Sequence, residues 1–270
     1  MNENQPHRKV RHAELVAGVK RHMAIVRSEA SPKAMTAEEL MEELRYARLE
    51  EETDAEYVAR VLAIEGDIRQ AREAYANAAE GLLKDLAAAG FVVSSLHELR
   101  HKRVVYKAAI PALLRWLPKV TYTPLKDDII RTLAVPWAKP DAVPVLLREF
   151  RTISDPTGEG LRWVVGNSLE ALADDSVFDD MVELIKDKSY GRAREMLVLG
   201  LAKMKNPRAI KVLIGLLEDE EVVGHAVIAL GKLRASEARS RIESLLNHPK
   251  AWIRKEAKKA LAKIDKRPRK

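Results

Sequence analysis

Histidines, paired acids, tryptophans and a lysine cluster are the residues of this chain whose types and spacing could do chemistry. The seven histidines are His7, His12, His22, His97, His101, His225 and His248. His97 and His101 are four apart, which puts two imidazoles on one helical face and can bind zinc. Glu98 directly follows the first of them, and no third ligand is evident. A polar helix face is the simpler reading, so no metal site is expected. Asp174-Asp175 and Asp179-Asp180 are acidic pairs that read as helix caps and a solvated turn rather than a catalytic dyad. No nucleophile elbow, Walker A loop or dinucleotide fingerprint occurs. Without cysteine there is no disulfide framework, thiolate metal site or cysteine nucleophile, which fits a reducing cytosol. No cofactor and no catalytic residue is expected.

The tryptophans lie beside basic residues: Trp116 by Arg115, Trp137 by Lys139, Trp163 by Arg162, and Trp252 by Arg254 and Lys255. Such neighbours can stack bases and hold phosphate. Trp116, Trp137 and Trp163 with Asp127 or Asp128 and Arg131 form one candidate constellation. Packing between helices is the competing and favoured role. Lys255, Lys258, Lys259 and Lys263 share a helical face that could hold phosphates or serve as a polar end cap. Charge is unevenly spread: residues 36–90 carry −8 and residues 247–270 carry +8 within a total of +7. No apolar stretch is long enough for a membrane span, so no membrane partner is expected.

The elements that would position these residues are helices in a repeating arrangement. One apolar line runs Leu133, Leu169, Leu201, Leu230 and Leu261, in steps of 36, 32, 29 and 31 residues. A second line lies upstream in each unit: Ile110, Val143, Met181, Leu213 and Ile242, each followed by an apolar pair three and four positions on. Both spacings are helical, and two helices per such period predict an α-solenoid. Units are expected at about 104–137, 141–174, 177–205, 207–234 and 237–265. Breaks fall at Pro136, Pro140, Asp155-Pro156, Gly191, Asn206-Pro207 and Asn247-His248-Pro249. Upstream, a helical face over Leu15–Val26, a capped start at Thr36, an acidic turn at Glu50–Glu52, a long helix over 55–89 closed by Gly90, and a helix over 91–103 are expected. The domains are then 1–103 as an N-terminal helical cap or extension, 104–265 as the repeat, and 266–270 as a basic tail.

The later units resemble HEAT repeats, especially the short kind first described in phycobilisome lyases. The match is clearest over Pro207-Arg208-Ala209-Ile210, Leu213-Ile214-Gly215-Leu216-Leu217 and Ala229-Leu230-Gly231-Lys232-Leu233. Asp155 precedes Arg162, Asp187 precedes Arg194 and Asn247 precedes Arg254, each by seven, as in that family's turn and second helix. Unit four departs with Val223, and unit one has Lys119 and Lys126 at the two places. The tetratricopeptide and ankyrin patterns are missing. The resemblance implies an all-α, right-handed α-solenoid of about five HEAT-like hairpins, with the Asp/Arg pairs tying turns to helices rather than binding anions. It also implies a non-enzymatic, bacterial, cytoplasmic scaffold holding another protein on its concave face. Arg131, Trp163, Asn167, Arg194 and His225 on the second helices are the candidate contacts. HEAT-repeat di-iron hydroxylases use several His-Glu pairs, whereas this chain has one, His97-Glu98. The alternative is a nucleic-acid-binding HEAT-like protein resembling DNA-alkylation-repair glycosylases, using Trp116, Trp137, Arg131, Lys255, Lys258 and Lys259.

Overall fold

A computed structural model describes residues 54–102 and 104–266. The expected helices near Leu15–Val26 and Thr36, the turn at Glu50–Glu52, and tail residues 267–270 lie outside the described residues. The described residues are helical, without strands. The chain divides into two compact units, Met1–Ala74 and Tyr75–Lys270.

Helix α1, Asp54–Ala88, spans 35 residues. Its first-unit part, residues 54–74, exposes Val58 and Leu62. Its second-unit part buries Ala79, Leu82 and Leu86 completely. Gly90 ends α1 with φ +93, a conformation costly for any side chain. Gly90 N donates to Ala87 O at 3.0 Å and Phe91 N to Leu86 O at 2.8 Å, the paired bonds of a Schellman end.

The helix expected over 91–103 is shorter than its sequence suggests. Among the described residues of that stretch, Leu96–His101 (α2) is helical. Ser95 caps it by accepting from Glu98 N, and Glu98 reaches back to Ser94 N at 2.7 Å. That reciprocal cap starts the helix at Leu96 and leaves 91–93 non-helical.

Five helical pairs follow in the second unit. They are α3 (Ile110–Trp116) with α4 (Thr123–Leu133), α5 (Lys139–Thr152) with α6 (Leu161–Leu172), and α7 (Phe178–Lys186) with α8 (Arg194–Leu201). Then come α9 (Arg208–Gly215) with α10 (Val223–Leu233), and α11 (Arg239–Ser244) with α12 (Ala251–Ile264). One pair falls inside each expected unit, to within a few residues. Pro111, Pro124 and Pro140 sit in first turns, where the missing N–H has no helical acceptor to lose.

The even-numbered helices touch in chain order, α2 to α4, α6, α8, α10 and α12, and each odd-numbered helix from α3 onward packs on the even one that follows it. The two apolar lines of the sequence are the cause. Leu133, Leu169, Leu201 and Leu230 are at most 1% exposed. Leu261 is half-buried, because no described helix follows α12 to cover it. Close approach is enforced where α10 meets α12: a Cβ on Gly231 would lie 2.8 Å from Ala260 Cα.

Candidate interaction surface

The even-numbered helices bury one side against each other and their odd partners. The opposite side carries a set of half-buried residues. On α6 these are Trp163, Asn167 and Glu170, spaced i, i+4, i+7 on one face. On α8 they are Met196 and Leu199, and on α10 His225 and Ile228. The centre of this face is apolar and its edges are charged. Arg131 pairs with Asp127 at 2.7 Å and Lys203 with Glu170 at 2.9 Å. Arg192 bonds Glu159 and, at 2.9 Å, Glu195.

Four of the five expected contacts, Arg131, Trp163, Asn167 and His225, are at least partly open to solvent. Asn167 Nδ2 donates to Trp163 O at 3.2 Å. His225 is half-buried, its Nε2 3.8 Å from Glu195 and its ring 5.8 Å from that of Trp252. Burial pushes the imidazole pKa down; Glu195 pulls it up and Arg192 pushes it further down, and the net shift is downward.

Arg194 is different, being 0% exposed and unable to meet a partner. Its guanidinium donates to Ile185 O (3.1 Å), Gly191 O (3.0 Å), Asp219 Oδ2 (2.7 Å) and Glu221. It therefore ties its own turn to the turn of the next helical pair. Burial pushes the Asp219 carboxyl pKa up, but the Arg194 bonds and charge outweigh it and hold the group below the ordinary value. Arg162 likewise donates to Phe150 O (3.0 Å), Asp155 O (3.0 Å) and Ile153 O, and lies over the Tyr190 ring. Arg254 donates to His248 O (2.7 Å) and Pro249 O (2.8 Å). Asp155 accepts from the backbone of Gly158, Gly160 and Arg162. The recurring Asp/Arg spacing is thus a set of ties between turns and helices.

Trp116, Trp137 and one side of Trp252 pack against neighbouring helices. Trp116 lies against Gly81 and donates to Asp85 at 2.8 Å. Trp137 meets Tyr106 edge-on at 5.3 Å, and its indole N–H is buried without an acceptor. Trp252 fills the notch left by Gly224, where any Cβ would overlap its ring. Asp128, a member of the expected Trp/Asp/Arg constellation, is held by Tyr75 Oη at 2.7 Å and Arg100 at 2.7 Å. Asp127 is held by Arg131. A cleft of about 630 Å³ lies over these acids, lined by Tyr75, Thr123, Pro124, Glu159, Leu161 and Val164 among others. None of Trp116, Trp137 and Trp163 lines it.

The acidic pairs join neighbouring helical pairs. Asp174 caps Ser176 and pairs with Lys139 at 2.6 Å; these contacts, the lysine's foremost, hold its pKa at about 2. Asp175 accepts from Lys205 N and Asn206 N. Asp179 meets Arg208, and Asp180 meets Arg151.

Residues 97–101 spell the order His-Glu-x-x-His, the zinc-protease pattern, which is more than a bare histidine pair. The residues around it do not fit such a centre. Glu98 is the back-reaching member of the α2 cap, bonded to Ser94 and Lys102, and its pKa is held at about 2, chiefly by the Ser94 backbone bond. The imidazoles lie 4.0 Å apart, centroid to centroid, with His101 Nδ1 on His97 O. Among the described residues no group of three or more His, Cys, Asp or Glu is placed to hold a metal. The sequence signal for the structural role is Ser95-x-x-Glu98, a capping box overlapping the histidine pair. Tyr75 and Arg100 carry no such sequence signal, because each acts through a partner 28 or more residues away.

No described helix is long and apolar enough to cross a membrane. No protein-family model matches the chain, and no curated protein matches it.

Proposed function

We propose that the second unit is a right-handed HEAT-like solenoid that acts as a non-enzymatic scaffold, holding a partner protein on a concave face built by its even-numbered helices. One observation carries the reading. Trp163, Asn167, Met196, Leu199, His225 and Ile228 stand half-buried on consecutive touching helices, an apolar centre with charged edges. That is the composition of a binding surface with a desolvated core and polar rim. The recurrent pairs, neighbour-to-neighbour packing and Arg ties support the solenoid. The lack of cysteine supports a cytosolic setting. Of the expected contacts, Arg131, Trp163, Asn167 and His225 stay in the proposed surface, while Arg194 belongs to the framework.

The test is site-specific photocrosslinking. A photoreactive residue at Asn167 or Met196 should capture one shared partner in lysate of the source cells. The same residue at exposed Thr152 or Lys186, on the odd-numbered helices, should not. Equal capture from both faces, or none from the first, would overturn the assignment.

A further inference from the structure

Helix α12 carries a surface distinct from the one above. Its sequence holds five basic residues and one acidic one. At 100° per residue, Trp252, Lys255, Lys259 and Lys263 fall within an arc of about 80°. Lys266 follows just beyond the helix end. Ile253, Ala257 and Ala260 take the opposing side and are buried. The stripe is therefore exposed by the register of the apolar residues, and it is strung along the helix rather than gathered in a pocket. Glu256 pairs with the stripe's own Lys259 at 2.5 Å, an ion pair that a phosphate on Lys259 would share or displace, and Asp265 pairs with Arg239 at 3.0 Å.

We infer that this stripe is a binding site for single-stranded nucleic acid. Successive lysines at 255, 259 and 263 are spaced by about 6 Å along the axis, on the scale of neighbouring phosphates in an extended strand. A linear basic track with an aromatic at one end is how strands are held without sequence readout, phosphates on the cations and a base on the ring. Trp252 suits the second role because Gly224 and His225 fix its ring from one side while 39% of the residue stays exposed. A lipid surface fits less well: the apolar side of α12 is buried on α10, leaving nothing but Trp252 to insert.

The test is fluorescence anisotropy of the full chain with a labelled mixed-sequence single strand of roughly 16 nucleotides, titrated upward from about 50 mM salt. The parent should bind, with affinity falling steeply as salt rises. Joint replacement K255Q, K259Q and K263Q should weaken binding at least tenfold and reduce the log–log salt slope by about 2. Joint replacement of three exposed lysines elsewhere, K186Q, K211Q and K232Q, should change both far less. W252F should weaken binding while leaving the salt slope intact, since the ring contributes no charge. The site is overturned by any of three results: no binding at the lowest salt, equal loss in both triple variants, or a duplex or phosphatidylserine vesicles bound as tightly as the strand. None of these touches the crosslinking result at Asn167, so the two surfaces stand or fall separately.

Discussion

At the residue scale, side chains that look chemical in one dimension turn out to be fasteners in three. Arg194 is the clearest instance. Its charge is removed from water and repaid only by the groups it joins, so breaking the cluster leaves Asp219 and a backbone carbonyl short of partners. R194M should cost about 3 kcal/mol and lower the melting temperature by roughly 10 °C; an unchanged melting temperature would remove the arginine from the framework. Asp219 has a depressed folded pKa, so its stabilisation is full above the unfolded value, near 4, and is lost as pH falls through the folded one. R194M should therefore show a shallower acid loss than the parent. His225 has the opposite chemistry but the same direction. Its folded pKa lies below 6.5, so its stabilising share is intact above that pH and lost as pH falls toward the folded value. Urea midpoints at pH 7.5 and 5.5 should drop less in H225F than in the parent, and an identical drop would assign the pH dependence to another group. A third expectation concerns His97 and His101. If Glu98 is a cap, a chelator should leave the melting curve of purified protein unchanged; a fall in midpoint would mean a structural metal at that run.

At the element scale, close approach and capping decide which helices form and how near they come. The sequence pattern Ser95-x-x-Glu98 starts α2, and the Gly90 bonds end α1. Gly231 sets the α10–α12 spacing because the atom opposite is a backbone Cα that cannot rotate away. G231A should therefore destabilise by about 1–3 kcal/mol, read by urea unfolding. Cost-free substitution would mean that the two helices separate easily. The apolar periodicity made the helices legible, with pairs falling where Leu133, Leu169, Leu201 and Leu230 lie. The short length of α2 was less legible, because a local cap at Ser95 overrode a helical pattern that began at residue 91.

At the scale of the whole molecule, each even-numbered helix from α4 to α10 has an even-numbered neighbour on both sides, while α12 has one among the described helices. In a stack governed by nearest neighbours, local opening is cheapest at the ends. Hydrogen exchange should show amides of α6 and α8 protected at least tenfold more than those of α12. Equal protection would point to one cooperative block.

By itself the sequence determined the helical class, the five pairs, their breaks and the absence of thiol chemistry. These follow from local properties: apolar spacing, proline placement and composition act within a few turns of chain. Only the tertiary structure decided which polar residues face solvent. Arg194 and Arg162 both lie in the first turns of second helices, yet one is sealed among Ile185, Asp219 and Glu221 and the other stays partly exposed. That difference depends on what the next helical pair brings alongside, and Asp219 arrives from 25 residues away. The same holds for Trp116 and Trp252, whose rings were given their places by glycines on other helices.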